Sequence, residues 1–106
     1  MEYLVDRSRI TRPPIHPGVI FADIVMPELR KTRTIGEIAT VLRVSRQTLH
    51  RVMAGEIAIS PDMGARLGKL CGNGAGLWLR MQANFDAWEA THRLSKELSK
   101  IPTLTE

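Results

Sequence analysis

Apolar residues recur at helical spacing along much of the chain, and the repeat is clearest between residues 34 and 55. Two short amphipathic helices are predicted there, since positions i, i+3, i+4 and i+7 fall on one side of a helix. The apolar side of the first consists of Ile35, Ile38, Ala39 and Leu42. The apolar side of the second consists of Leu49, Val52 and Met53. The helices would pack through these faces, with Val44 inside the turn between them.

The residues around the second helix carry the expected boundary signals. Ser45 is predicted to be its N-cap, because the hydroxyl can accept a backbone N–H of the next turn. Gly55 follows it, where a helix end favours a positive φ. The outer face is polar and presents Arg46, Gln47, His50 and Arg51. The apolar inner face and polar outer face of this helix, together with the tight turn before it, predict a helix-turn-helix at about residues 34–54.

Three further helices are predicted outside this motif. The first opens at His16-Pro17-Gly18, with Pro17 near the first helical position, and should end before Pro27. Its buried stripe is predicted to be Ile20, Phe21, Ile24 and Val25. Another helix begins at Ser60-Pro61-Asp62 and ends at Gly72-Asn73-Gly74. The last should run from about Ala75 into the nineties.

An apolar seam follows the last helix at spacings of three, four and three residues. It consists of Trp78, Met81, Phe85 and Trp88. We interpret the seam as core that covers the first helices, with the remainder available to pair two copies of the chain. The prediction is therefore an all-α domain of five helices with a long C-terminal helix. Residues 1–14 would form a flexible N-terminal arm, residues 15–100 the helix-turn-helix domain and residues 101–106 a C-terminal tail.

Basic residues are concentrated on the motif. The net charge is only +4, but six of the 15 basic residues lie between Arg30 and Gly55, alongside a single acid, Glu37. Such a concentration is typical of a protein that binds a polyanion. Arginine and glutamine side chains also match the hydrogen-bonding groups of base edges in the major groove. Double-stranded DNA is the predicted partner, with Arg46, Gln47 and Arg51 as the principal contacts and His50 as a further candidate.

The remaining chemistry does not favour an enzyme or a metalloprotein. His16, His50 and His92 are dispersed, and Cys71 has no partner at metal-ligand spacing. Ser45 and His50 share a helix but fall on different faces, with no third group to orient the imidazole. The glycine-rich stretch 72–76 lacks the lysine of a phosphate-binding loop. We expect no catalysis, cofactor or metal.

The sequence contains few features that indicate where in the cell the protein is located. With one cysteine, no intramolecular disulfide can form. The apolar run from Val19 to Met26 is interrupted by Asp23 and is too short to span a bilayer. No signal peptide is visible. The expectation is a cytoplasmic protein that does not contact membranes.

Four stretches resemble the HigA-type antitoxins. They are Ile-His-Pro-Gly at 15–18, Val-Ser-Arg-Gln-Thr-Leu at 44–49, Ile-Ser-Pro-Asp-Met at 59–63 and Leu-Trp-Leu-Arg-Met-Gln-Ala-Asn-Phe-Asp-Ala-Trp-Glu-Ala at 77–90. These antitoxins, some labelled virulence-associated protein I, belong to the lambda-repressor-like or XRE class of helix-turn-helix proteins. The resemblance implies a homodimer that represses its own operon by binding an inverted repeat. It also implies a partner toxin, usually a RelE-like ribonuclease of the HigB kind.

The family pattern also implies site residues. It places DNA contacts at Ser45, Arg46, Gln47, Thr48 and Arg51. The family often has glutamine after Thr34, where it reaches a phosphate; this chain has Ile35, so Thr34 or Arg33 would supply that contact. Arg43 is a further predicted DNA contact. It stands where the family often has glycine or asparagine, and a left-handed conformation there would cost roughly 1 kcal/mol.

Two alternatives to the antitoxin remain open from sequence. One is a stand-alone XRE-type repressor without a toxin. The other is a protein-interaction adaptor that kept the fold and lost DNA binding, for which the Ile35 departure leaves room.

Overall fold

A computed structural model describes residues 13–105, so the predicted arm lies outside the described residues except for Pro13 and Pro14. Within that range every regular element is helical. The elements are α1 (Pro17–Ile20), a π-helical turn (Phe21–Val25), α2 (Met26–Leu29), α3 (Ile35–Leu42), α4 (Arg46–Met53), α5 (Pro61–Cys71), α6 (Ala75–Arg93) and α7 (Ser95–Leu98). Because α1, the π turn and α2 form one continuous helical segment, the five predicted helices are confirmed. The structure adds the single turn of α7.

The first helical segment departs from the prediction at Pro27. The helix does not end there, since Met26 keeps helical angles (φ −58°, ψ −40°) and its N–H bonds to the Phe21 carbonyl. That hydrogen bond spans five residues, the pattern of a π turn. A proline ring normally clashes with the carbonyl four residues earlier, and the wider turn relieves this clash.

The same π turn overturns part of the predicted buried stripe. A turn that spans five residues brings Phe21 and Met26 onto one side, where their exposures are 0% and 4%. Ile24 is 67% exposed, so its predicted burial is wrong. Ile20 and Val25 are half-buried. The prediction failed because it assumed α-helical periodicity throughout this segment.

Local capping explains why α3 and α4 begin and end where they do. The Thr34 hydroxyl accepts the Glu37 N–H at 3.1 Å, and the Glu37 carboxylate accepts the Thr34 N–H at 2.8 Å. This reciprocal pair is a capping box. At α4, the predicted N-cap is confirmed, since the Ser45 hydroxyl accepts the Thr48 N–H at 3.0 Å. Gly55 follows the helix with φ +73°, also as predicted.

The turn between α3 and α4 contains the one non-glycine residue with a positive φ among residues 13–105. Arg43 has φ +62° and ψ +42°, the left-handed conformation whose cost was considered above for this position. Its N–H bonds to the Thr40 carbonyl and the Val44 N–H bonds to the Ala39 carbonyl, each at 3.0 Å. These two bonds form a Schellman motif, which compensates for the missing glycine.

One core joins all the larger helices. Its buried members are Phe21, Met26, Ile38, Ala39, Leu42, Leu49, Val52, Ile59, Met63, Leu67 and Trp78. The first segment approaches α4 unusually closely at Gly18, where an added Cβ would lie 1.8 Å from the Val52 carbonyl oxygen. Only glycine permits this contact, which seats α4 against α1.

The C-terminal half forms a scaffold for the motif. Ser60 caps α5, with its hydroxyl accepting the Met63 N–H at 3.1 Å, and α5 ends at Gly72 as predicted. Helix α6 begins at Ala75, and the preceding N-cap residue, Gly74, offers no side-chain hydrogen bond. Buried Gln82 accepts the Ile59 N–H at 2.8 Å and donates to Asp86 at 2.9 Å, so it fastens α6 to the segment before α5. No helix within residues 13–105 is both long and apolar enough to cross a membrane.

Candidate nucleic-acid interface

The outer face of α4 is a polar surface turned to solvent. Its four members, Arg46, Gln47, His50 and Arg51, are all exposed, while Leu49 and Val52 on the opposite side are fully buried. The burial pattern therefore anchors the helix by one side and leaves the other free. The exposure of these four side chains agrees with the geometry expected of DNA contacts. Contact with DNA itself remains a prediction.

An open groove lies between the N-termini of α3 and α4. The structure brings four predicted site residues to its wall: Arg33, Thr34, Ser45 and Arg46. We call this the α3–α4 groove. It receives the partial positive charge of two helix N-termini in addition to two guanidinium groups. A surface of this composition suits a phosphate group.

The acids near this surface are few and weakly engaged with it. Glu37 lines the groove, but one of its carboxylate oxygens caps the Thr34 N–H. Arg51 lies 3.7 Å from the Glu56 carboxylate, with both side chains more than half exposed. An ion pair this exposed contributes little, so Arg51 can exchange it for another anion.

Two predicted site residues, Arg43 and Thr48, lie outside both the groove wall and the outer face. Arg43 is exposed in the turn and does not line the groove. Thr48 is half-buried, and its hydroxyl accepts a hydrogen bond from Ser45 at 2.9 Å. The backbone role predicted for Ser45 thus extends to a side-chain pair that fixes the first turn of α4. His50 lies exposed on the outer face of α4.

Sequence reasoning missed three residues that shape this interface. The Thr-x-x-Glu spacing of Thr34 and Glu37 is the signature of a capping box and could have identified Glu37. Gly36 lies beside Arg46, and an added Cβ there would make an ordinary van der Waals contact of 3.5 Å with the Arg46 Cδ. Arg66 donates to the Leu42 carbonyl from 24 positions away, and no local pattern indicates such a contact.

The apolar seam of α6 divides into two parts. Trp78 is 2% exposed and meets Phe21 edge-on, and Phe85 meets His16 edge-on at 5.0 Å. These contacts confirm that the seam covers the first helix. Trp88 instead stacks on His92 at 3.9 Å, and its buried Nε1 has no acceptor among the described residues.

His16 has a structural role. Its Nδ1 accepts the Gly18 N–H at 2.9 Å, which caps α1. Burial lowers the pKa of the imidazole, although Asp86 and a backbone hydrogen bond to Ile57 act in the opposite direction. Among residues 13–105, the His, Cys, Asp and Glu side chains form no group that could hold a metal ion.

An exposed basic helix, seated by a Schellman turn in a compact helical domain, defines a helix-turn-helix protein of the lambda-repressor-like class. No protein-family model matches the chain. The chain is 31% identical over 103 residues to the uncharacterized HTH-type transcriptional regulator YbaQ of Escherichia coli (strain K12), covering 93% of this chain and 88% of YbaQ.

Solved structures give the same picture. The Pseudomonas aeruginosa antitoxin HigA with higBA promoter is 29% identical, with a TM-score of 0.78 over 87% of this chain and 99% of that chain. An addiction module antidote protein of a HigA family from Coxiella burnetii is 28% identical, with a TM-score of 0.78 over 89% and 100%. The chain belongs to the HigA-type antitoxin family of XRE helix-turn-helix proteins.

Proposed function

We propose that the protein is a DNA-binding antitoxin that represses its own operon and neutralises a RelE/HigB-like ribonuclease toxin. The observation that carries the DNA-binding part is the exposed outer face of α4 beside the α3–α4 groove. The solved relative with its promoter supports it, since that HigA shares the fold over nearly its whole length. YbaQ, named as a transcriptional regulator, supports the same role.

In the proposed mechanism the two surfaces have different tasks. Arg33 and Thr34, together with the free N–H groups at the start of α3, bind a phosphate and set the position of the protein on the duplex. Gln47 and Arg51 then reach into the major groove, where glutamine can pair with adenine and arginine with guanine. Arg46 lies at the junction and can serve either task. Backbone contacts give salt-dependent affinity, and base contacts give sequence preference.

A homodimer on an inverted repeat is part of the proposal. The last helical segments support it, because the stacked Trp88 and His92 are followed by apolar side chains exposed to solvent. Leu94 and Leu98 are 38% and 39% exposed, and Ile101 is 64% exposed. A dimer bound to an inverted repeat needs its two α4 helices on successive major grooves, about 34–36 Å apart.

DNA binding is tested by titrating the DNA upstream of the gene with protein over a range of salt concentrations. We expect the logarithm of the binding constant to fall linearly with the logarithm of the salt concentration. The Arg46→Ala/Arg51→Ala double variant should bind weakly and with a shallower slope. Arg80→Ala, which removes an exposed arginine of α6, is the control and should bind as wild type does. Wild-type protein that shows no steep salt dependence would instead favour the adaptor.

The toxin partner is tested by co-expression with the product of the adjacent gene. An antitoxin should restore growth to cells that express that product and should co-purify with it. A protein that binds its upstream DNA but neither rescues growth nor co-purifies is a stand-alone repressor. The oligomeric state is tested by measuring the molar mass of the free protein by light scattering. We expect the mass of a dimer for wild type and the mass of a monomer for Leu98→Asp.

A further inference from the structure

The turn of the helix-turn-helix receives hydrogen bonds from a distant helix. Arg66, half-buried on α5, donates from Nη1 to the Leu42 carbonyl at 2.9 Å and to the Arg43 carbonyl at 3.4 Å. The last carbonyls of a helix lack intrahelical partners, and a cation near them interacts favourably with the negative end of the helix dipole. The Arg66 guanidinium therefore supplies both a donor and a charge where α3 ends.

The Schellman motif does not supply donors to the Leu42 and Arg43 carbonyls. Its two bonds use the carbonyls of Ala39 and Thr40, and they do not involve the carbonyls of Leu42 and Arg43. Those two groups flank the left-handed residue itself, at the point where the chain changes direction toward α4. A donor placed here resists rotation of the same peptide units that set the angle between α3 and α4.

We infer that Arg66 is a positioning residue for DNA recognition, which holds the α3–α4 turn in the one geometry that lets both helices contact a duplex together. The inference rests on the proposed function. The α3–α4 groove and the outer face of α4 must meet phosphate and bases in a single register. Loss of the Arg66 bonds lets α4 change its angle to α3, and base contacts depend on that angle more strongly than phosphate contacts do.

The test compares Arg66→Met with Lys69→Met. Both variants remove one positive charge from α5, but Lys69 is exposed, whereas methionine at 66 keeps the apolar stem and loses the donors. Two dissociation constants are measured at one salt concentration, for the upstream DNA and for a random duplex of equal length. Backbone amide exchange at residues 43–45 is measured by NMR on the free protein.

For Arg66→Met we expect the affinity for upstream DNA to fall about tenfold, which is the contribution of one base contact. The affinity for the random duplex should fall much less. The amides at 43–45 should exchange faster than they do in wild type, while the amides of the core keep their wild-type exchange rates. Lys69→Met should keep the wild-type ratio between the two duplexes and the wild-type exchange. Arg66→Lys, which can reach one carbonyl, should fall between wild type and Arg66→Met and covers the case in which methionine prevents folding.

Equal losses on both duplexes, or unchanged exchange at 43–45 in Arg66→Met and Arg66→Lys, overturn the inference while wild-type binding stands. Wild-type protein that does not distinguish upstream DNA from the random duplex is a separate result. That result would contradict both the proposed function and this inference.

Discussion

Replacement of Gly18 by alanine should destabilise the protein, because a side chain at this position would enter the backbone of α4. An added Cβ would lie 1.8 Å from the Val52 carbonyl oxygen and 2.8 Å from its carbon, whereas real Cβ contacts essentially never fall below 3.0 Å. Since the obstacle is backbone and not a flexible side chain, the two helices must separate by roughly 1 Å in a close-packed interior. Phe21 and Leu49, both fully buried, would lose contacts in the process.

The expected loss in the free energy of unfolding is about 2–4 kcal/mol. Overpacking accounts for about 1–3 kcal/mol, and partial loss of contacts around the buried side chains adds to it. Gly76 offers a matched control, since it is the second residue of α6 as Gly18 is of α1. There an added Cβ would approach only the tip of the Arg80 side chain, at 3.0 Å. Gly76→Ala should gain about 0.5–1 kcal/mol.

Both variants can be compared with wild type by urea unfolding followed by circular dichroism. We expect the midpoint of Gly18→Ala to fall well below that of wild type, and the midpoint of Gly76→Ala to equal or exceed it. If the two variants behave alike, α1 does not pack against α4 in the way described, and the argument for the placement of α4 is refuted.

Three further changes test the capping and conformational arguments by the same unfolding assay. Ser45→Ala should lower the free energy of unfolding by about 1 kcal/mol, because the α4 N-cap is lost; an unchanged value would contradict that role. Arg43→Gly should raise it by a few tenths to about 1 kcal/mol, because glycine adopts a positive φ without strain; a decrease would contradict the strain. His16 has a lowered pKa through burial, so the unfolded state takes up the proton first. Stability should therefore fall as the pH drops through about 6.5, and His16→Asn should weaken this dependence; an equal dependence would exclude His16 as its source.

The motif could be predicted from sequence because its determinants are local. Ser45 caps the helix that begins at the next residue, and Leu49 and Val52 follow at helical spacing. Family resemblance also drew attention to the turn at Arg43, because this position is often held by glycine or asparagine. Each of these features depends on residues within one or two turns of the chain.

Features that depend on a second element were not predictable in the same way. The π turn moved Ile24 to the surface because Pro27 changed the helical period, and hydrophobic spacing alone assumes a constant period. The Arg66 bond to Leu42 spans 24 positions. The close approach at Gly18 depends on where α4 lies in space. Tertiary contacts decide all three.

The claim that the outer face of α4 contacts base edges is tested most directly by binding to a panel of operators, each with one base pair substituted. Affinities of wild type and Arg51→Ala are measured for every duplex at one salt concentration. We predict that Arg51→Ala loses about 1–3 kcal/mol on the parent operator and no longer discriminates at one base-pair position. If Arg51→Ala retains both the wild-type affinity and the wild-type pattern of discrimination, Arg51 does not contact a base and the proposed docking of α4 is wrong.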